Sequence, residues 1–113
     1  MGVSRTVLGV IGNAGRAMIV EQLVTKNRDA ILRIAVQHGA RNVRVFGSAA
    51  RGEATETSDL DFLVEMEPER SLLDLAALRN DLMDLLGREV DVVTEDSLYW
   101  LLRRKILREA RPL

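Results

Sequence analysis

Three aspartates and a glycine–serine pair carry the chemistry available to this chain. Gly47-Ser48 follows an apolar run, Val43-Arg44-Val45-Phe46. Ten residues later Asp59-Leu60-Asp61 leads into a second run, Phe62-Leu63-Val64. Small residues at the end of a strand let the chain turn and aim backbone N–H groups at an anion. Residues i and i+2 of a strand project to one face, so Asp59 and Asp61 stand together, with Cα atoms roughly 6.6 Å apart at ~3.3 Å rise per residue. That separation lets two carboxylates share divalent cations spaced about 3.5–4 Å apart. Asp91 interrupts a third apolar run, Val90-Asp91-Val92-Val93, and joins the pair if its strand lies beside theirs. Alternation alone would equally place Asp91 on a solvent face. The combination describes a site for a metal-bound nucleoside triphosphate.

Charge repulsion sharpens that reading. Two unit charges ~6 Å apart repel by roughly 3 kcal/mol at an effective dielectric of about 20. Three such pairs would burden a small domain whose total stability is about 5–15 kcal/mol. A cation, a proton or an outward turn must relieve them. All the donors are hard oxygens, which suits Mg²⁺, with triphosphate completing its octahedron. In such a site Asp59, Asp61 and Asp91 are the catalytic residues and metal ligands, holding two Mg²⁺ ions. Gly47 and Ser48 bind the nucleotide's phosphates, and Arg51 and Ser58 are further nucleotide-binding candidates. Asp91 is also the candidate base for an acceptor hydroxyl. Gly-Ser, ten residues, then Asp-x-Asp would arise by chance in a chain this long about once in a thousand, given residue frequencies of roughly 5–7%.

These residues need a sheet and helices to hold them. Val20, Leu23, Val24, Asn27, Ile31, Ile34 and Ala35 share one face of an amphipathic helix, which Gly39 ends. His38, in its last turn, reads as a favourable partner of the helix C-terminus. Strands are predicted over 42–46, 60–65 and 89–93. Ala49-Ala50-Arg51 has the composition of a helical turn, and Thr55, Thr57 and Ser58 that of a loop. Ser71 with Asp74 predicts a partial capping box for a helix with the stripe Leu75, Leu78, Leu82, Leu85, stopped by Gly87. Asp96 or Ser97 is predicted to cap a last helix that turns Leu98, Leu101, Leu102 and Ile106 inward. Its other face carries Arg103, Arg104, Lys105 and Arg108, with Arg111 just beyond; it reads first as solvated, with an acidic partner or a nucleic acid as the alternatives. Strands interleaved with helices in 113 residues predict an α/β (α+β) domain with a small mixed sheet flanked by helices.

Composition sets the class. The chain is 47% hydrophobic with a net charge of −1, which fits one folded domain and gives no bulk charge for nucleic-acid binding. Without cysteine it has neither disulfides nor thiolate metal sites, which fits a reducing, cytoplasmic setting. No apolar run approaches the ~20 residues needed to span a membrane. Residues 1–19 are expected to form an N-terminal extension, with Met18 a candidate start, and residues 20–113 the domain.

From Phe46-Gly-Ser-Ala-Ala-Arg-Gly through Ser58-Asp-Leu-Asp, the chain resembles the DNA polymerase β-like nucleotidyltransferases. Within that superfamily it is similar to the minimal nucleotidyltransferases (MNT). Asp91 in Val90-Asp-Val-Val matches the third carboxylate of that branch, and the ending from Ser97 to Leu113 is similar as well. The resemblance covers residue 20 onward. It implies a mixed sheet flanked by helices, a Gly-Ser turn for the triphosphate and three acids for Mg²⁺. It further implies an antitoxin that transfers AMP from ATP to a tyrosine of a HEPN-domain ribonuclease toxin. Two other readings remain open: transfer to a small-molecule hydroxyl, and a non-catalytic antitoxin that neutralises its partner by binding.

Overall fold

The computed structural model describes residues 22–55 and 57–113. The extension expected over residues 1–19, Met18 within it, and Val20 lie outside them. Residues 22–26 are helical, and a turn at Asn27 separates them from α1, Arg28–Gln37. There follow β1 (Ala40–Phe46), β2 (Leu60–Met66), α2 (Leu72–Leu86) and β3 (Val90–Thr94). A 3₁₀ turn (Glu95–Ser97), α3 (Trp100–Glu109) and β4 (Arg111–Pro112) complete the chain. The strands form one mixed sheet in the order β3-β2-β1-β4. β1 is antiparallel to both β2 and β4, while β2 and β3 run parallel. The three expected strands are therefore present, each within two residues of its predicted limits. β4 is an addition: two residues are too few to show any alternation.

β2 lies inside the sheet, and its alternation divides the molecule into two faces. Leu60, Phe62 and Val64 are buried in one cluster with Ile31 and Ala35 of α1 and Leu78, Leu82 and Leu86 of α2. Val43, Val45, Val90 and Val92 extend that cluster across the neighbouring strands. Burying a side chain the size of Phe62 or Leu60 contributes about 1.5–3 kcal/mol each, so this face holds the domain together. The opposite face of β2 carries Asp61, Leu63 and Glu65. On that second face Leu63 is fully buried, while Asp61 at one end and Glu65 at the other are only partly so.

Local signals explain the helix ends. Gly39 has φ +78°, the left-handed residue just past α1. His38 Nε2 lies 2.6 Å from Asp81 Oδ2, joining the end of α1 to the side of α2. His38 thus has a side-chain partner as well as its place at the helix terminus. The Ser71 hydroxyl accepts a hydrogen bond from Leu73 N, and the Asp74 carboxylate accepts one from Ser71 N, so the expected capping box forms. The innermost leucine line is Leu78, Leu82 and Leu86; Leu75 and Leu85 pack on its flanks.

The last helix departs from expectation. Neither Asp96 nor Ser97 caps it; Tyr99 stands at the cap position. The Ser97 hydroxyl closes the 3₁₀ turn instead, donating to Thr94 O and accepting from Thr94 N. α3 begins at Trp100, beyond Tyr99. Leu98 and Ile106 are half-buried, but Leu101 and Leu102 are more than half exposed, together with Tyr99 and Trp100. The physical reason is that α1 and α2 already fill the apolar face of the sheet. α3 is held at the rim by ion pairs, Arg51 to Glu109 at 3.0 Å and Arg103 to Glu95 at 3.6 Å. Arg103, Arg104, Lys105, Arg108 and Arg111 are exposed.

Candidate active site

The turn after β1 is built by glycine for two reasons. Gly47 has φ +74°, a backbone state that costs other residues roughly 1–2 kcal/mol. A Cβ at this position would also collide with Oδ2 of Asp61. The backbone then folds back on itself over residues 47–53. Arg51 N donates to Gly47 O at 3.2 Å and Glu53 N to Ser48 O at 2.9 Å. The turn is a single loop of chain rather than a helix, and Ser48 is half-buried within it.

Asp61 sits second in β2, level with Phe46 at the end of β1 on one side. On the other side it is paired with Asp91, second in β3. Residues level with each other on neighbouring strands share a face, and the strands are ~4.8 Å apart. Asp59 lies just before the first residue of β2. Burial, then the charges of Asp91 and Asp59, push the Asp61 carboxyl up from 3.8 to about 6, against the opposing pull of Arg51. Asp61 therefore feels both other acids. Among the described residues, no side-chain hydrogen bond or ion pair neutralises Asp59, Asp61 or Asp91. Nor, among them, is any group of three or more acids or histidines drawn into a closed metal-ligand set. The donor chemistry is nevertheless that of a hard cation: Asp61 is level with Asp91, feels the charge of Asp59, and is partly desolvated, and all its neighbours in this set are carboxylate oxygens.

Two weaker candidates have structural duties. Arg51 pairs with Glu53 at 2.9 Å and with Glu109 at 3.0 Å, and these acids raise its pKa. Its charge still reaches Asp61. The Ser58 hydroxyl accepts from Thr55 N at 2.9 Å and shapes the loop before Asp59. A hollow of about 590 Å³ opens beside that loop, lined by Thr57, Ser58, Asp59, Gly87, Arg88 and Glu89. Arg88, which carried no motif signal, reaches across it to the loop carbonyls.

A two-faced mixed sheet with paired aspartates beside a glycine turn defines a nucleotidyltransferase. Residues 28–113 match the model of the nucleotidyltransferase domain family, and the chain belongs to that family. It is 49% identical over 80 residues to MJ0435 of Methanocaldococcus jannaschii, provisionally named a protein adenylyltransferase, covering 71% of this chain and 86% of that protein. It is 39% identical over 90 residues to the protein adenylyltransferase MntA of Thermococcus cleftensis, covering 80% and 88%. A solved structure provisionally described as a minimal nucleotidyltransferase has 52% identity and a TM-score of 0.75, covering 82% of this chain and 95% of that one. A toxin–antitoxin crystal structure with AMP-PNP shares the fold at a TM-score of 0.66 and 20% identity, over 76% of this chain and 71% of that one.

Proposed function

We propose that this chain is a Mg²⁺-dependent protein adenylyltransferase that acts as an antitoxin, transferring AMP from ATP to a tyrosine of a HEPN-domain ribonuclease toxin. The observation that carries the chemistry is the level pairing of Asp61 and Asp91, with the Gly47 turn closed against Asp61. The names of the relatives support a protein acceptor. So does α3, whose Trp100, Leu101 and Leu102 face outward with no cover among the described residues. The proposal places the enzyme in the cytoplasm; no helix among the described residues is long and apolar enough to cross a membrane. It treats residues 1–19 as an extension to a catalytic domain over residues 20–113.

Asp59, Asp61 and Asp91 would hold Mg²⁺. When bound, it would neutralise the phosphates and lower the pKa of the attacking hydroxyl. The backbone of Gly47 and Ser48 orients the triphosphate, aided by Arg51 and Ser58 at the margin. The tyrosine oxygen forms the new bond to the α-phosphorus as the bond to the leaving pyrophosphate breaks. Asp91, exposed at the sheet edge, takes the phenolic proton. The chain's own contribution is position and charge placement, as in phosphoryl transfer generally.

The test is co-incubation with a HEPN-domain toxin, ATP and Mg²⁺, followed by intact-mass measurement. One added AMP per transfer is expected on the partner, and none with Asp61→Asn. Undiminished labelling by that variant would refute the mechanism. The exposed face of α3 also favours some neutralisation by contact alone. Replacing all three aspartates separates the two, because a pure binder would still silence its partner.

A further inference from the structure

We infer that Arg88 is a positioning residue for this site, tying the loop that delivers Asp59 to the segment that delivers Asp91. The inference rests on the proposed roles of those acids. Arg88 lies between Gly87, the left-handed residue ending α2, and the start of β3. Its Nη1 donates to Ser58 O at 3.2 Å and to Thr55 O at 3.3 Å. These two carbonyls bracket the loop immediately before Asp59. The loop also closes on itself: Ser58 N donates to Thr55 O at 3.1 Å, and Thr55 N donates to the Ser58 hydroxyl at 2.9 Å. Thr55 O thus accepts two bonds, using both of its lone pairs. Leu60 N donates to Glu89 O at 3.0 Å, a backbone tie between the same two segments.

The consequence is geometric. β2 and β3 fix Asp61 and Asp91 through their own ladder. Asp59 lies outside the ladder, one residue before β2, so its place depends on the loop. A charged guanidinium donating to two carbonyls is a strong and directional brace. It is half-buried, which limits competition from water. Arg88 touches neither nucleotide nor acceptor in this reading; it acts through the placement of Asp59.

Arg88→Gln and Arg88→Lys test this on the full chain, with Mn²⁺ alone as the probe, measured by calorimetry without nucleotide. Loss of a residue that supports a ligand lowers metal affinity by about 10–100-fold. Arg88→Gln should weaken Mn²⁺ binding about 10-fold or more and speed amide exchange across residues 57–59, with exchange in α1 and α2 unchanged. Arg88→Lys, which keeps the charge, should recover part of the affinity; it decides the matter alone if the glutamine variant fails to fold. Mn²⁺ affinity within about twofold of wild type in the folded variant, or faster exchange everywhere, would overturn the inference. Asp61→Asn separates the two layers of argument. Mn²⁺ binding that survives that change removes the proposed metal site itself. Binding lost with Asp61→Asn but untouched by the Arg88 variants removes only the role of Arg88.

Discussion

Asp61→Asn should make the protein more stable at neutral pH while removing its activity. The wild-type carboxyl is held at about 6 in the folded chain, against an ordinary value of 3.8. Between these values the native state binds more protons than the unfolded chain, so stability falls as pH rises. The loss begins near pH 4 and is complete above about pH 6. At ~1.36 kcal/mol per pH unit the full difference is roughly 3 kcal/mol. The side chain is only partly removed from water, and screening reduces this to about 1–2 kcal/mol. Asparagine has nearly the same shape and no charge, so it escapes the loss. In a domain of this size one kcal/mol moves the melting temperature by roughly 4–8 °C. The assay is thermal or urea unfolding of both proteins without metal, at pH 4 and at pH 7.5. The variant should gain little at pH 4 and most of the difference at pH 7.5. Adding Mg²⁺ at pH 7.5 should raise the wild-type midpoint far more than that of the variant. A pH-independent gap, or a variant less stable than wild type at pH 7.5, would refute the electrostatic account of the site.

Gly47→Ala should lose roughly 1–2 kcal/mol of stability from its left-handed backbone and a larger share of activity, because the new methyl displaces the Asp61 carboxylate. Unfolding and AMP-transfer rates measured together check both. Asp91→Asn removes one of the repelling charges and should lower the Asp61 titration midpoint from about 6, as read by carboxyl NMR. Trp100→Ala should change stability by no more than about 0.5 kcal/mol, since the ring is 72% exposed. If α3 is the docking face, it should weaken the partner complex by about 2 kcal/mol in calorimetry.

The sequence reading succeeded where a residue's type and its local structure agree. Ser71 with Asp74, and Gly39 and Gly87 in left-handed states, are local devices whose meaning does not depend on distant chain. The spacing of Asp59 and Asp61 pointed to one face of a strand, but β2 begins at Leu60, so Asp61 lies in the strand and Asp59 in the loop before it. Asp91 was ambiguous until the parallel pairing of β2 and β3 set it level with Asp61. Other features depend on competition between elements. The apolar pattern of α3 matched an inward face, but α1 and α2 had taken the space. Asn42 adopts φ +50° where β1 changes register against β2, and nothing in its neighbours signals that bulge. Arg88 had no motif because its work is done by one guanidinium nitrogen on two backbone carbonyls thirty or more residues earlier in the chain.

The short strand β4 shapes what one edge of the sheet offers to a neighbouring molecule. Leu113 N donates toward β1, to Val43 O at 3.4 Å, so by alternation the backbone N and O of Pro112 point the other way. Proline has no N–H, and the outer margin of the sheet therefore offers a neighbouring molecule no amide donor at that position. Among the described residues, that flank meets a neighbouring strand with a proline where an amide donor would stand, which disfavours ribbon-like stacking there.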